Sequence, residues 1–125
     1  MPVPRLKSLL AATAVLFGCL LSPLALAHAH LQSQTPAADA TVPSPTDLRL
    51  RFSEGIEVSF SEVTLTGTDG HVLAAQPLAS AKGDTHTLVV VPATPLPPGA
   101  YQVHWKVLSV DTHKSSGDYR FTVGQ

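Results

Sequence analysis

Apolar and polar residues alternate with period two along most of the chain that follows residue 27. Such alternation is typical of strands buried on one face and exposed on the other. One predicted strand spans residues 85–91. The apolar positions of the other predicted strands are Leu48, Leu50 and Phe52; Ile56, Val58 and Phe60; Val63 and Leu65; Val72 and Leu73; Tyr101, Val103, Trp105 and Val107; and Tyr119, Phe121 and Val123. The pattern predicts an all-β domain.

Turn residues divide these strands. The phase slips by one before Val63, which predicts a bulge or a tight turn, and Thr68-Asp69-Gly70 predicts a hairpin turn. A proline-rich stretch, 92–99, ends one strand, and residues 114–117 are predicted to be a loop. About seven short strands and no long helix favour a β-sandwich.

The N-terminal segment, 1–27, has the pattern of a secretory signal peptide. Two basic residues, Arg5 and Lys7, precede an apolar run, and Ala25-Leu26-Ala27 fits a cleavage site. Cleavage after Ala27 would leave one domain, 28–125, beginning at His28. Two alternatives remain open: cleavage after Ala29, and a lipoprotein-type signal ending at Cys19.

The composition narrows the chemistry of the predicted mature chain. The sequence has one cysteine and one methionine, Cys19 and Met1, and both lie in the predicted signal peptide. No sulfur ligand therefore follows residue 27. Six basic and nine acidic residues remain, a formal charge of −3. That balance provides no basic face for nucleic acid.

A histidine at a free N-terminus offers two metal ligands, its α-amine and its Nδ1 atom. The α-amine has an ordinary pKa of about 8, so a metal ion can displace its proton near neutral pH. His28 would occupy this position after cleavage at Ala27. The simpler alternative is a solvated histidine at a frayed terminus.

Two further segments could supply ligands. In extended backbone, Asp111 and His113 would point the same way and converge. The alternative is an Asx-type turn in which Asp111 binds nearby amides and His113 is merely exposed. Glu54 follows the end of a predicted strand and could equally be an ordinary surface residue.

Taken together, these segments resemble the CopC family. The resemblance lies in the order and spacing of His28-x-x-Leu31, Ser33-x-Thr35-Pro36-Ala37, Phe52-Ser53-Glu54, Tyr101-x-Val103-x-Trp105 and Ser109-x-Asp111-Thr112-His113. It implies an immunoglobulin-like Greek-key β-sandwich in the periplasm. It further implies a Cu(II) site formed by the amine and imidazole of His28, Asp111 and His113, with Glu54 close by as an outer acceptor.

One departure from the family bears on the metal. Some members carry a methionine-rich loop for Cu(I), but the corresponding segment here, 66–81, contains no methionine. Thioether ligands select Cu(I), whereas amine, imidazole and carboxylate ligands suit Cu(II). We therefore expect one Cu(II) site and no Cu(I) site.

A different Cu(II) geometry uses the same terminus. A free amine with histidine in the third position, here His30, can bind Cu(II) in a plane through two deprotonated backbone amides. Leu31 argues against this geometry, since its entry into the core would tie the adjoining amides into the first strand. His30 remains a secondary ligand candidate. Three other histidines, His71, His86 and His104, are expected to face solvent.

The expected function is copper carriage, for supply or resistance, rather than catalysis. The family resemblance implies a partner such as a CopD-like inner-membrane copper transporter. The alternative is a histidine-brace oxidative copper enzyme resembling the lytic polysaccharide monooxygenases. Such enzymes need a broad aromatic surface, whereas Trp105 is predicted to face the core.

Overall fold

The structure of the protein is a computed structural model that describes residues 29–125. The predicted signal peptide, its cleavage site and His28 lie outside these residues. The described part contains nine strands: β1 (Leu31–Thr35), β2 (Thr41–Val42), β3 (Leu48–Phe52), β4 (Glu62–Thr66), β5 (Val72–Leu73), β6 (Ala79–Ala81), β7 (Asp84–Val90), β8 (Gly99–Leu108) and β9 (Lys114–Val123). A short 3-10 turn, Val58–Phe60, is its only helical element. No helix in this part of the chain is long and apolar enough to cross a membrane.

The strands form two sheets. One has four strands in the order β1-β3-β7-β6, and the other has five in the order β2-β9-β8-β4-β5. Neighbours pair antiparallel except β2 and β9, which are parallel. The chain crosses repeatedly between the sheets, which confirms the predicted immunoglobulin-like Greek-key sandwich. Nine strands appear instead of about seven, and two of them have only two residues.

The core lies between the sheets and follows the predicted alternation. In β3 every second residue is buried and the two arginines between them are exposed. In β8 four alternate residues are buried in the same way. Phe52 of β3 meets Trp105 of β8 edge-on, with ring centroids 5.2 Å apart, so this pair joins the two sheets. Fully burying one such apolar side chain contributes roughly 1.5–3 kcal/mol.

The predicted strand through Ile56, Val58 and Phe60 is wrong. Residues 58–60 form the 3-10 turn, and the side chain of Phe60 is exposed. The amides of Phe60 and Ser61 bond back to the carbonyls of Glu57 and Val58, at 3.1 Å each, instead of to a neighbouring strand. This turn does account for the phase slip before Val63. The predicted hairpin turn at 68–70 is confirmed, with Gly70 at a φ of +81°.

The predicted loop at 114–117 is also wrong, because these residues begin β9 and pair with β8. Ser116 lies opposite Lys106, and Gly117 lies opposite Trp105. The indole covers the glycine so closely that a Cβ there would lie 2.5 Å from Trp105 Cζ2. Polar composition suggested a loop, but here the small glycine makes room for the tryptophan across the hairpin.

Candidate metal centre

The turn between β8 and β9, residues 109–113, carries two of the three predicted ligands. Pairing with the segment after β3 holds it in place: Ser109 bridges Ile56, and the Val110 amide donates to the Gly55 carbonyl at 2.9 Å. The backbone reverses at Thr112, whose φ of +71° lies in the left-handed region. The segment after β3 therefore fixes the start of this turn.

The side chains of Asp111 and His113 converge, with Asp111 Oδ2 and His113 Nδ1 3.3 Å apart. The predicted route to this convergence was wrong, because the backbone is a turn and not extended. The alternative, an Asx-type turn, is present: the His113 amide lies 3.4 Å from Asp111 Oδ1. The turn and the convergence coexist, because the left-handed Thr112 brings the imidazole back over the carboxylate.

Ser109 orients the Asp111 carboxylate. Ser109 is fully buried, and its hydroxyl donates a hydrogen bond to Asp111 Oδ1 and lies 3.1 Å from the His113 carbonyl. This hydrogen bond, followed by contacts with the His113 side chain and amide, holds the pKa of Asp111 below its ordinary value, against the opposing effect of desolvation. Asp111 is thus ionised at neutral pH, as an anionic metal ligand must be.

The start of the described chain lies beside this turn. Ala29 is buried, and its carbonyl accepts a hydrogen bond of 2.9 Å from Ser115 Oγ, two residues beyond His113. The next residue, His30, is held on its other side by Ser53. The first residues are therefore fixed between the end of β3 and the start of β9.

The backbone of His30 is fully engaged. Its amide donates to Ser53 Oγ at 2.8 Å, and its carbonyl accepts from the Ser53 amide at 2.9 Å. A planar complex through the terminal amides would need this amide deprotonated and its bond to Ser53 broken. Leu31 packs against the core, as predicted. The backbone contacts thus oppose the planar geometry.

Glu54 is half-buried at the same end of the sandwich, next to Gly55, whose carbonyl binds the turn. Within residues 29–125 it forms no hydrogen bond or ion pair with Asp111 or His113. No three histidine, cysteine, aspartate or glutamate side chains among the described residues could together hold a metal ion. The described part therefore contributes a pair of ligand candidates.

Three other histidines each lie beside an aspartate on the surface. His104 Nδ1 is 2.7 Å from Asp118, His71 Nδ1 is 2.9 Å from Asp69, and His86 Nδ1 is 3.8 Å from Asp84. Their side chains are between 42% and 81% exposed, which agrees with the predicted solvent-facing positions. These pairs show that a histidine–aspartate contact alone does not single out the β8–β9 turn.

Sequence reasoning missed the serines that support the site. Ser53 and Ser109 both belong to motifs named above, but only Ser109, two residues before Asp111, gave a usable signal. Neither Ser53 nor Ser115 had such a signal, because their partners are distant in sequence. Ser115 and Ala29, for example, are 86 residues apart.

The fold and the site define a small β-sandwich protein with an ionised carboxylate and an imidazole at the end where its first strand begins. The CopC domain family matches residues 31–124. The chain is 42% identical over 118 residues to Protein YobA of Escherichia coli strain K12, covering 94% of this chain and 95% of that protein. It is 40% identical over 105 residues to Copper resistance protein C of Escherichia coli, covering 79% and 83%.

A solved structure gives the same result. The crystal structure of PcoC, described as a methionine-rich copper resistance protein from Escherichia coli, superposes with a TM-score of 0.71 and 41% sequence identity. The match covers 78% of this chain and 100% of PcoC. The chain belongs to the CopC family.

Proposed function

We propose that this protein is a periplasmic Cu(II) carrier with one copper site, formed by the amine and imidazole of His28 together with Asp111 and His113. The observation that carries the proposal is the convergence of Asp111 and His113 beside the fixed first residues of the chain. The names of its relatives, which include copper resistance proteins, support copper as the metal.

The spacing of the two side chains suits a shared ion. Nitrogen and oxygen ligands lie about 2.0–2.2 Å from a first-row metal, so two adjacent ligands at a right angle are about 3 Å apart. Asp111 Oδ2 and His113 Nδ1 are 3.3 Å apart, so little movement is needed for both to bind.

The position of Ala29 supports His28 as the remaining ligand. Consecutive α-carbons are about 3.8 Å apart, so His28 adjoins a residue that is buried and bonded to Ser115. Ser115 lies on β9, which begins directly after His113 and rises about 3.3 Å per residue. We therefore expect His28 to reach the turn that carries His113.

The ligand set favours Cu(II) over Cu(I). Amine, imidazole and carboxylate groups suit Cu(II), whereas Cu(I) prefers the thiolate and thioether ligands that are absent after residue 27. We therefore expect no second, methionine-based site. The half-buried Glu54 would orient a ligand or a bound water from outside the copper's own shell.

Carriage fits the surface better than oxidative catalysis does. Of the six aromatic side chains in the described part, five are buried, including Trp105, which is 8% exposed. An enzyme resembling the lytic polysaccharide monooxygenases would need a broad aromatic face for its substrate, and Phe60 alone does not form one. The protein would instead exchange copper with a partner such as an inner-membrane copper transporter.

Metal titration of the exported protein tests the proposal. Cu(II) should bind in a 1:1 complex more tightly than Ni(II) or Zn(II), because divalent affinity peaks at copper, and more tightly than Cu(I), because no sulfur ligand follows residue 27. His113→Ala and Asp111→Asn should each weaken it by about 10- to 100-fold, and His30→Ala should have much less effect. The matched control is His104→Ala, which removes a surface histidine with the same aspartate contact. Equal losses for His104→Ala and His113→Ala would refute the assigned site.

A further inference from the structure

Phe60 is the most exposed large apolar residue in the described part of the chain, with 74% of its surface accessible. Its backbone is nevertheless fixed. The Ser61 hydroxyl donates to the Glu57 carbonyl at 2.8 Å and accepts the Leu108 amide at 3.0 Å. A rigid backbone that presents an aromatic ring to solvent has little ordering entropy left to lose on binding, which is the property of an interface anchor.

Phe60 lines a groove of about 380 Å³ beside β8 and β9, and two lysines line it too. Lys106 and Lys114 are both exposed, and neither forms an ion pair with another described residue, although Glu62 lies opposite Lys106 in the register of β4. Only three lysines follow residue 28, in a segment with a formal charge of −3, and two of them are here. The groove is a basic, partly apolar patch on an acidic protein.

The groove adjoins the copper site proposed above. Lys114 directly follows His113, and Ser115, which also lines the groove, holds the Ala29 carbonyl. A partner seated against Phe60 would therefore lie beside the turn that carries His113. We infer that this groove is the docking surface for an acidic protein segment, with an apolar side chain set against Phe60 and carboxylates facing Lys106 and Lys114. Its role in copper exchange rests on the proposed function, whereas docking itself needs no metal.

The magnitudes favour a protein segment over an anionic membrane. Two lysines near an anionic surface and one inserted phenylalanine each contribute only modestly to membrane binding. Together they are weaker than a single myristoyl chain, which gives only marginal binding. The negative charge of the rest of the domain adds repulsion. A concave groove, in contrast, can enclose a side chain and exclude water around it.

Peptide display on the metal-free, exported protein tests the inference. A phage library of random dodecapeptides is selected on the wild-type protein, and the dissociation constants of the enriched peptides are measured by fluorescence anisotropy. We expect peptides with aspartate or glutamate next to leucine or phenylalanine. Phe60→Ser and Lys106→Glu should each weaken their binding at least about tenfold. The matched controls are Val72→Ser, which removes another exposed apolar side chain, and Lys82→Glu, which removes the lysine outside the groove.

Three outcomes would overturn the inference: no enrichment of acidic peptides, equal binding by Phe60→Ser and the wild type, or equal losses in the two control variants. Binding to phosphatidylglycerol vesicles that Phe60→Ser abolishes, without peptide binding, would identify a membrane surface instead. Self-association in sedimentation velocity that Phe60→Ser abolishes would identify a second copy. Cu(II) affinity is measured separately and should be the same in Phe60→Ser, so failure of the copper site leaves the docking result intact.

Discussion

Replacing Ser109 with alanine should weaken Cu(II) binding although Ser109 is not itself a proposed ligand. Its hydroxyl is the main hydrogen-bond donor to Asp111, and the serine is fully buried. The variant removes this donor and one oxygen atom, and leaves the Ser109 amide bonded to the His113 carbonyl at 2.9 Å. The turn should therefore persist while the carboxylate loses its orientation.

The structure sets the size of the effect. A hydrogen bond to a charged group contributes about 1.5–3 kcal/mol, and loss of an outer partner of a metal ligand typically costs about 10- to 100-fold in affinity. The Asp111 side chain is 30% exposed, so water can replace part of the lost bond. We therefore expect the lower end of the range, about a tenfold weaker Cu(II) complex.

Competition with a colorimetric Cu(II) chelator measures this loss, and Ser61→Ala is the matched control. Ser61 also bonds the backbone near the end of β8, through the Leu108 amide, but it does not contact Asp111. Its removal should lower the free energy of unfolding by about 1 kcal/mol and leave the copper affinity unchanged. The reasoning fails if Ser109→Ala binds copper as tightly as the wild type, or if both variants lose affinity equally.

Two further predictions concern stability. Gly117→Ala should lower the free energy of unfolding by about 1–3 kcal/mol, because the alanine Cβ would lie 2.5 Å from Trp105 Cζ2. Urea unfolding followed by tryptophan fluorescence measures this change, and an unchanged free energy of unfolding would contradict the packing. The hydrogen bond from the Thr87 hydroxyl has the largest effect on Asp84 and lowers its pKa from the usual 3.8. The His86 amide and the charge of Arg51 lower the pKa of Asp84 further. Its ionised form stabilises the fold above pH 3.8, and the contribution is lost as the pH falls through the lowered folded-state pKa. The stability difference between wild type and Asp84→Asn should thus be present at about pH 5 and shrink below about pH 4, and a difference that does not shrink would disprove the assignment.

The sequence predicted best where one face of a strand is fully buried. β3 and β8 alternate strictly, and burial of every second residue leaves only one possible register. The alternation at Ile56, Val58 and Phe60 was misleading because the chain turns there, and Phe60 faces solvent. The prediction for residues 114–117 was wrong for the opposite reason. Their polar side chains suggested a loop, but pairing with β8 across the hairpin makes them a strand.

For the site, the spacing of Asp111 and His113 predicted that these two side chains converge but not how they meet. Asp111 and His113 converge through the left-handed Thr112, a backbone state that few non-glycine residues adopt and that the sequence did not indicate. The serines that hold the first residues act over long sequence separations, which local patterns do not encode. Assignment of His28, Asp111 and His113 as copper ligands stays a prediction.

The most direct test adds one glycine between Ala27 and His28, so that the exported chain begins one residue earlier. The added residue changes no side chain of the protein, but it converts the His28 amine into an amide and removes its chelate with the imidazole. Mass spectrometry verifies the new N-terminus, and a glycine added after Gln125 is the matched control. We predict that the N-terminal extension weakens Cu(II) binding as severely as His113→Ala does, by at least about 10- to 100-fold, while the C-terminal extension has no effect. An N-terminally extended protein that binds Cu(II) with unchanged affinity and an unchanged visible spectrum would contradict the proposed site.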